Sequence, residues 1–507
     1  MARLKLKIPD IGVILLLVVF PLVITDGYKN ITITKFMFFT CVSVLSLLIC
    51  SVAAGVAKKK NKIFAVNSFN ATEGCMIAFL LCGLVSVFVS DFPYNSLFGY
   101  AGRYMGYIFI TGVFCTFFFA SKYYTIKERD LLLFVMTLFI VCTISFLQVC
   151  GYNPLALYTG VAKSTRSIFL TTLGNITVVA SFLSLAMPIA TGMYCLKSHG
   201  RKKNIFLITA MASGFLCMVY SNSDSSFVGV LIGLWVVGFC CMKKMEYLRR
   251  FVDVALVCSV MMLVYRMLTQ TGEVTRRMCF VSTILTSKYM FFVMLLLIIV
   301  DVIIRHITIK EAVLRKCKTL YLYGSLTVIS VVLGVFMYFS VIDTTTSLGK
   351  LEDILRYSDS WGTDRGNIWR ICMEAYKQFP LRQKLFGFGE DSILILLSKY
   401  CKAEMRAMCY YTNNAHNEYI QYLLTVGLVG LMTYIGAIIT AVNRLLKSDT
   451  EDYLKWSVLG SVVAYSIQSA INITQPITTP LFFLFLAFAC SMQNKMKIKI
   501  PDEEVKI

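Results

Sequence analysis

IDTTTSLGKLEDILRYSDSWGTDRGNIWR, from Ile342 to Arg370, opens the one long polar stretch of the chain, which runs on to Asn417. It holds DRGNIW at Asp364–Trp369 and LFGFGED at Leu385–Asp391, and it closes inside NNAHNEYIQ at Asn413–Gln421. Before and after it the chain is a succession of apolar runs with short polar connections. Apolar runs of about 17 to 25 residues cross a bilayer core as helices. In lipid every backbone polar group must be paired within the protein, so a chain of such runs folds as a helical bundle. No β-barrel alternation is present. The fold class is therefore all-α, a polytopic integral membrane protein of about 12–14 transmembrane helices with one long extracytoplasmic loop.

The bulk properties agree. Of 507 residues 57% are hydrophobic, and the mean hydropathy is +0.72. Working outward from the polar stretch, the expected spans are 11–25, 36–57, 75–90, 107–121, 131–151, 176–195, 205–221, 227–242, 251–268, 289–305 and 322–341 before it. After it come 418–441, 458–474 and 480–492. The first is read as a span and not as a cleaved leader, because no small-residue cleavage site follows before Tyr28. The expected organisation is 1–341 with transmembrane helices 1–11, 342–417 as an extracytoplasmic loop with short amphipathic helices, and 418–507 with helices 12–14 and a cytoplasmic tail.

A net charge of +21 raises the question of nucleic acid. The basic residues instead sit in short clusters between spans, where the positive-inside rule puts them, and no basic groove with interleaved aromatics stands out. Thirty Lys and Arg fall in the N-terminal tail and the segments on its side, against nine in the short loops of the other side. Both termini are thus expected to be cytoplasmic and 342–417 external. The 18 cysteines lie mostly in apolar runs, where thiols behave as small hydrophobes. No CxxC pair suggests zinc. Cys401 and Cys409 are read as free thiols, with a disulfide as the alternative.

Several side chains in the outer segments can carry chemistry. Arg103 stands among Gly99, Gly102 and Gly106, and Arg166 precedes the LGN of Leu173–Asn175. Arginine suits bidentate phosphate recognition, although interfacial anchoring accounts equally for both, and better for Arg276 and Arg277. Residues 364–379 have the spacing of an amphipathic helix, with Ile368, Cys372, Ala375, Tyr376 and Phe379 on one face and Thr363 or Asp364 as cap. Arg365 in its first turn opposes the helix dipole, and Gly366 weakens the helix. Pro380 ends it, and Gly387 and Gly389 form a tight turn, a hinge or a site of close backbone approach. His416 is the one histidine of three on the outer side. It stands at a helix start with Asn413 or Asn414 as possible N-cap, a setting that favours neutral, proton-accepting imidazole.

Three blocks together resemble the O-antigen ligase and polymerase family of bacterial envelope glycosyltransferases. The first is Arg365, Trp369, Pro380, Gly387 and Gly389. The second is HNEYIQYLLTVGLVGL from His416 to Leu431. The third is SAINITQPITTPLFF from Ser469 to Phe483. Weaker echoes are Gly99, Arg103 and Gly106, and Arg166 with Gly174 and Asn175. The resemblance implies a GT-C-like membrane glycosyltransferase of the bacterial cytoplasmic (inner) membrane. Such an enzyme moves a glycan from a polyprenyl diphosphate to a hydroxyl on a glycan or lipid acceptor at the outer face, with inversion, without a metal or cofactor and without nucleic acid. It implies His416 as general base and Arg365 as the catalytic diphosphate-binding cation, with Arg103, Arg166 and Asn417 at the donor diphosphate. The absence of an outer DxD or a histidine–carboxylate cluster agrees with metal-free chemistry. One departure stands out: many members have an arginine after a Thr/Ser-x-Ser pattern, and here Ser223, Asp224 and Ser225 are followed by Ser226. The alternatives are a transporter or flippase of lipid-linked oligosaccharide and a non-catalytic assembly protein. For the former, the ionisable candidates Asp253, Arg266 and Asp301 lie near expected span ends or lack an obvious partner, whereas transporters usually carry paired ionisable groups near the bilayer midplane.

Overall fold

The computed structural model describes residues 8–59, 69–100, 102–270, 279–307, 310–403 and 412–492. Up to the polar stretch it runs through α1 (Pro9–Leu22), α2 (Ile31–Lys59), α3 (Ala71–Val89), α4 (Tyr107–Tyr123), α5 (Glu128–Val149) and α6 (Ile176–Leu196). It continues through α7 (Arg201–Tyr220), α8 (Asp224–Cys241), α9 (Met245–Gln270), α10 (Met290–His306) and α11 (Glu311–Met337). The polar stretch holds α12 (Trp361–Gln378), α13 (Leu381–Phe386) and α14 (Ile393–Tyr400). The chain ends with α15 (Glu418–Thr425), α16 (Gly427–Lys447), α17 (Asp452–Gln468) and α18 (Thr479–Ser491). Among the described residues nine helices are at least 18 residues long and apolar enough to cross a membrane, and α1, α4 and α18 are shorter apolar helices. The protein is an all-α polytopic membrane protein. Among the described residues the strands are one antiparallel pair, Phe169–Leu170 with Gly174–Asn175, in the loop before α6.

α6 is the axis of the bundle. Every residue from Val178 to Leu196 is buried, and α8 and α17 pack along it. The contact is close because small residues line it: a Cβ at Gly229 would overlap Ser184, at Gly192 Ser457 and at Gly233 Pro188. Helices in lipid associate through such small-residue surfaces. Pro188 interrupts the α6 hydrogen-bond ladder. Ser461 Oγ donates to Leu185 O at 2.6 Å, so a neighbouring helix serves a carbonyl in the turn before the proline. At the periphery α10 buries none of its residues, and α11 exposes Leu320, Val328 and Val332. Apolar surface of that kind matches acyl chains.

The polar stretch builds a small core of its own. Ile368, Ile371, Cys372, Ala375 and Phe379 of the α12 face pack with Phe388, Leu396 and Leu424. Two expectations change. The run 418–441 is not one helix, because Gly427 adopts φ +80° and separates α15 from α16. The amphipathic helix does not start on a Thr363 or Asp364 cap: Gly362, Thr363 and Asp364 all have left-handed φ, and regular α-helix begins at Arg365. Gly366 is there because a Cβ would overlap Ser358 O, where the incoming chain also receives the Asn367 N–H at Asp359 O, 3.0 Å away. Cys401 is buried, whereas Cys409, Arg276 and Arg277 lie outside the described residues.

Candidate active site

His416 does not belong to a helix. It has φ +49°, a conformation that an L side chain adopts only when its surroundings impose it. Those surroundings are hydrogen bonds. The His416 N–H donates to Asn414 Oδ1 at 3.0 Å. The preceding residue is held from two helices: Ala415 N–H donates to Gln421 Oε1 of α15 at 3.0 Å, and Trp369 Nε1 of α12 donates to Ala415 O at 3.0 Å. The N-cap of α15 is Asn417, not Asn413 or Asn414. Its Oδ1 accepts from Tyr419 N at 2.9 Å and Ile420 N at 3.1 Å. The oxygen of Asn417, expected at the donor diphosphate, is therefore spent on the helix start.

The His416 ring is half-buried and has no hydrogen-bond partner among the described residues. Burial, helped by the positive charges of Arg365 and Arg103, lowers its pKa from the ordinary 6.5 to about 4. The cause thus differs from the helix-terminus effect expected from sequence. The ring is neutral at physiological pH, and three groups read separately from the sequence act on one another.

The two arginines differ in how they are held. Arg365 donates through Nη1 to Gly362 O, inside the left-handed turn, and its buried Nε has no partner. Burial lowers its pKa, opposed by the carboxylate of Asp224 at the start of α8. Its donors are thus largely uncommitted, and an anion can satisfy them. Arg103 is clamped. Its Nε donates to Asp391 Oδ1 at 2.9 Å, Nη1 to Asn413 Oδ1 at 3.3 Å and Nη2 to Thr474 O at 3.4 Å. Asp391 Oδ2 accepts from Tyr100 N at 2.7 Å and Met105 N at 3.1 Å. One carboxylate therefore ties the loop around Arg103 to the polar stretch, and Arg103 keeps N–H groups to spare.

Arg166 is not brought to this group. It is exposed, stacks 5.5 Å from the Tyr158 ring and donates to Val161 O at 3.3 Å. Ser226, where the family pattern has an arginine, is buried, and its hydroxyl is engaged with Ser223 O at 2.7 Å and Met218 O at 3.2 Å. The charge that this loop presents to Arg365 is the acid Asp224. Asp253 and Asp301 are not without partners: Arg305 bonds Asp253 at 2.6 Å and Asp301 at 2.7 Å, and Tyr194 donates to Asp253 at 2.9 Å. Arg266 donates to Thr286 O at 3.2 Å.

The GFG turn is a site of close backbone approach. Phe388 N–H donates to Leu424 O at 2.8 Å and Gly389 N–H to Thr425 O at 3.1 Å. A side chain at Gly387 would overlap Thr425 O, and one at Gly427 would overlap Leu385. Sequence reading missed Asp391 and Asp224 as parts of this neighbourhood. Asp391 was visible as an acid next to a glycine turn in a basic chain, but its partner lies 288 positions away.

Comparison with curated proteins gives no match. Residues 278–435, which carry Arg365, Asp391 and His416, match the family model described as O-antigen ligase, so this part of the chain is similar to that family.

Proposed function

We propose that the protein transfers or polymerises a polyprenyl-diphosphate-linked glycan onto a hydroxyl acceptor at the outer face of the bacterial cytoplasmic membrane. The match of residues 278–435 to the O-antigen ligase family model supports a membrane glycan-assembly enzyme. The observation that carries the finer reading is the coupling of one unpartnered imidazole, His416, to two guanidiniums, Arg365 and Arg103. The acceptor hydroxyl gives its proton to His416 as its oxygen bonds the anomeric carbon. The bond from that carbon to the diphosphate oxygen breaks, with inversion. Arg365, with Arg103 beside it, takes up the charge developing on the lipid diphosphate. Two fixed cations supply this stabilisation without a metal. Arg166 and Asn417 are second contacts at most, Arg166 for a part of the donor farther from the ring and Asn417 through its amide nitrogen.

The same electrostatics regulate the base. In the free protein burial and two positive charges keep the ring neutral and weakly basic. A diphosphate on the arginines offsets their charge and raises the basicity of His416, so the base strengthens once the donor is bound. The test uses purified protein in vesicles with a lipid-diphosphate glycan and an acceptor. Release of free lipid diphosphate is expected. Movement of intact donor across the bilayer without release contradicts the proposal and marks a flippase.

A further inference from the structure

The turn Gly387–Asp391 is the joint on which both halves of the site hang. Phe388 and Gly389 dock on the carboxyl end of α15, whose other end carries His416. A Cβ at Gly389 would overlap Ser96, so the turn is also wedged against the short helix Pro93–Phe98. Asp391 holds Arg103 at 2.9 Å. Between these contacts lies Glu390, which takes no part in the chemistry proposed above. It is 3% exposed, and its buried Oε1 has no partner among the described residues.

A carboxylate with a bare buried oxygen, next in the chain to a second carboxylate, is an unfavourable state, whereas a carboxylic acid is tolerated there. We propose that Glu390 is a positioning residue: the turn stays docked on α15 while the Glu390 carboxyl keeps its proton, and undocks when solvent base removes it. Ionisation breaks one O–H bond and leaves one negative charge inside the joint. Relief comes from moving the turn towards water. That movement draws Asp391 away from the loop of Arg103 and frees the carboxyl end of α15, so Arg103 and His416 lose their common register.

The surroundings are consistent with a proton held at neutral pH. Burial and then the Asp391 charge push the carboxyl up from 4.5 to about 8, against the opposing Thr425 hydroxyl and Asp391 N–H. From α15 the Tyr422 phenol also faces it. From α3 and the short helix come only the hydroxyls of Ser90 and Ser96, near Gly389. From α14 the charged group is Lys399, paired with Asp91 at 2.6 Å on the exposed edge. The Arg103 cation is engaged by Asp391, the neighbour of Glu390. Because the folded pKa is raised, the stabilisation is complete below about 4.5 and is lost as pH rises through about 8.

Two measurements on the full chain in detergent or nanodiscs test this. In the first, hydrogen exchange is followed at the amides of Phe388 and Gly389 between pH 7 and 9, in the wild type and in Glu390→Gln. The expected result is exchange that accelerates well beyond the tenfold per pH unit of base catalysis in the wild type, and that follows base catalysis alone in Glu390→Gln. In the second, which rests on the transfer reading, wild-type turnover falls about tenfold per pH unit above about 8, while Glu390→Gln keeps its plateau. Exchange in the wild type that never exceeds base catalysis overturns the proposal, and it does so whether or not the variant folds or the protein transfers glycan. An identical alkaline fall in a folded Glu390→Gln also overturns it.

Discussion

At the scale of single residues the account rests on charge and protonation. Replacing His416 with Ala removes the base and leaves both arginines in place. Transfer should fall by about 10²–10⁴-fold while binding of the lipid-diphosphate donor changes little; turnover within a few-fold of wild type would remove His416 from the mechanism. The ring titrates near 4 in the free protein. kcat/KM should therefore be lost as pH falls through about 4, and the acid limb of kcat should lie at higher pH because bound diphosphate offsets the arginine charge. Equal limbs in the two profiles would contradict that coupling. Arg365→Lys should be nearly as damaging as Arg365→Ala, since an ammonium cannot reproduce the two-pronged donor of a guanidinium; a full rate in the lysine variant argues for a simple point charge. His416 stood out in the sequence because histidine is scarce, and Arg365 because of the block it belongs to. Asp391 and Asp224 were not, because their significance lies in partners far along the chain, and Ser226 told only that an expected charge is absent.

At the scale of elements, glycines at the joint decide whether the site assembles. Gly427 has φ +80°, and a side chain there would overlap Leu385 and Gly387. Gly427→Ala should destabilise the protein by roughly 1–3 kcal/mol from strain alone, read as a lowered thermal midpoint, with transfer falling further than stability. A neutral outcome would mean that α15 and α16 can merge into one helix without harm. Asp391→Ala leaves Arg103 with a largely buried charge whose carboxylate is gone, a change of about 3–5 kcal/mol where such pairs are broken. Thermal unfolding should show it, and an unchanged midpoint would mean that Arg103 finds another anion. The sequence left the GFG turn open between a hinge and a close approach, and indicated the α12 face nearly complete. It missed the break at Gly427, since an apolar run reads the same whether or not one residue turns left-handed. It also misjudged the start of α12, where the partners of Gly366 lie in the chain just upstream and not in a cap.

At the scale of the whole molecule, lipid makes most of the fold legible in one dimension. The length of an apolar run sets a helix, and nothing but a helix satisfies its backbone there. Each expected span corresponds to a helix, or in one case to two. Which helix forms the axis was not legible, because α6 is apolar all round and only Gly192, Gly229 and Gly233 with their neighbours mark the contact. The account also requires the polar stretch to face outward with both termini on the other side. A reporter fused after the last residue should be active in the cytoplasm, and one inserted near Thr345 should be active outside; the reverse pattern would separate the site from its substrate. The central claim is that Arg365, Arg103 and His416 act on one lipid-borne diphosphosugar. A cryo-electron microscopy structure of the full chain with a bound polyprenyl diphosphate glycan tests it most directly. The account predicts the diphosphate on the Arg365 guanidinium with Arg103 alongside and the His416 ring facing the anomeric carbon, and a diphosphate bound away from Arg365, or an imidazole turned from the sugar, would contradict it.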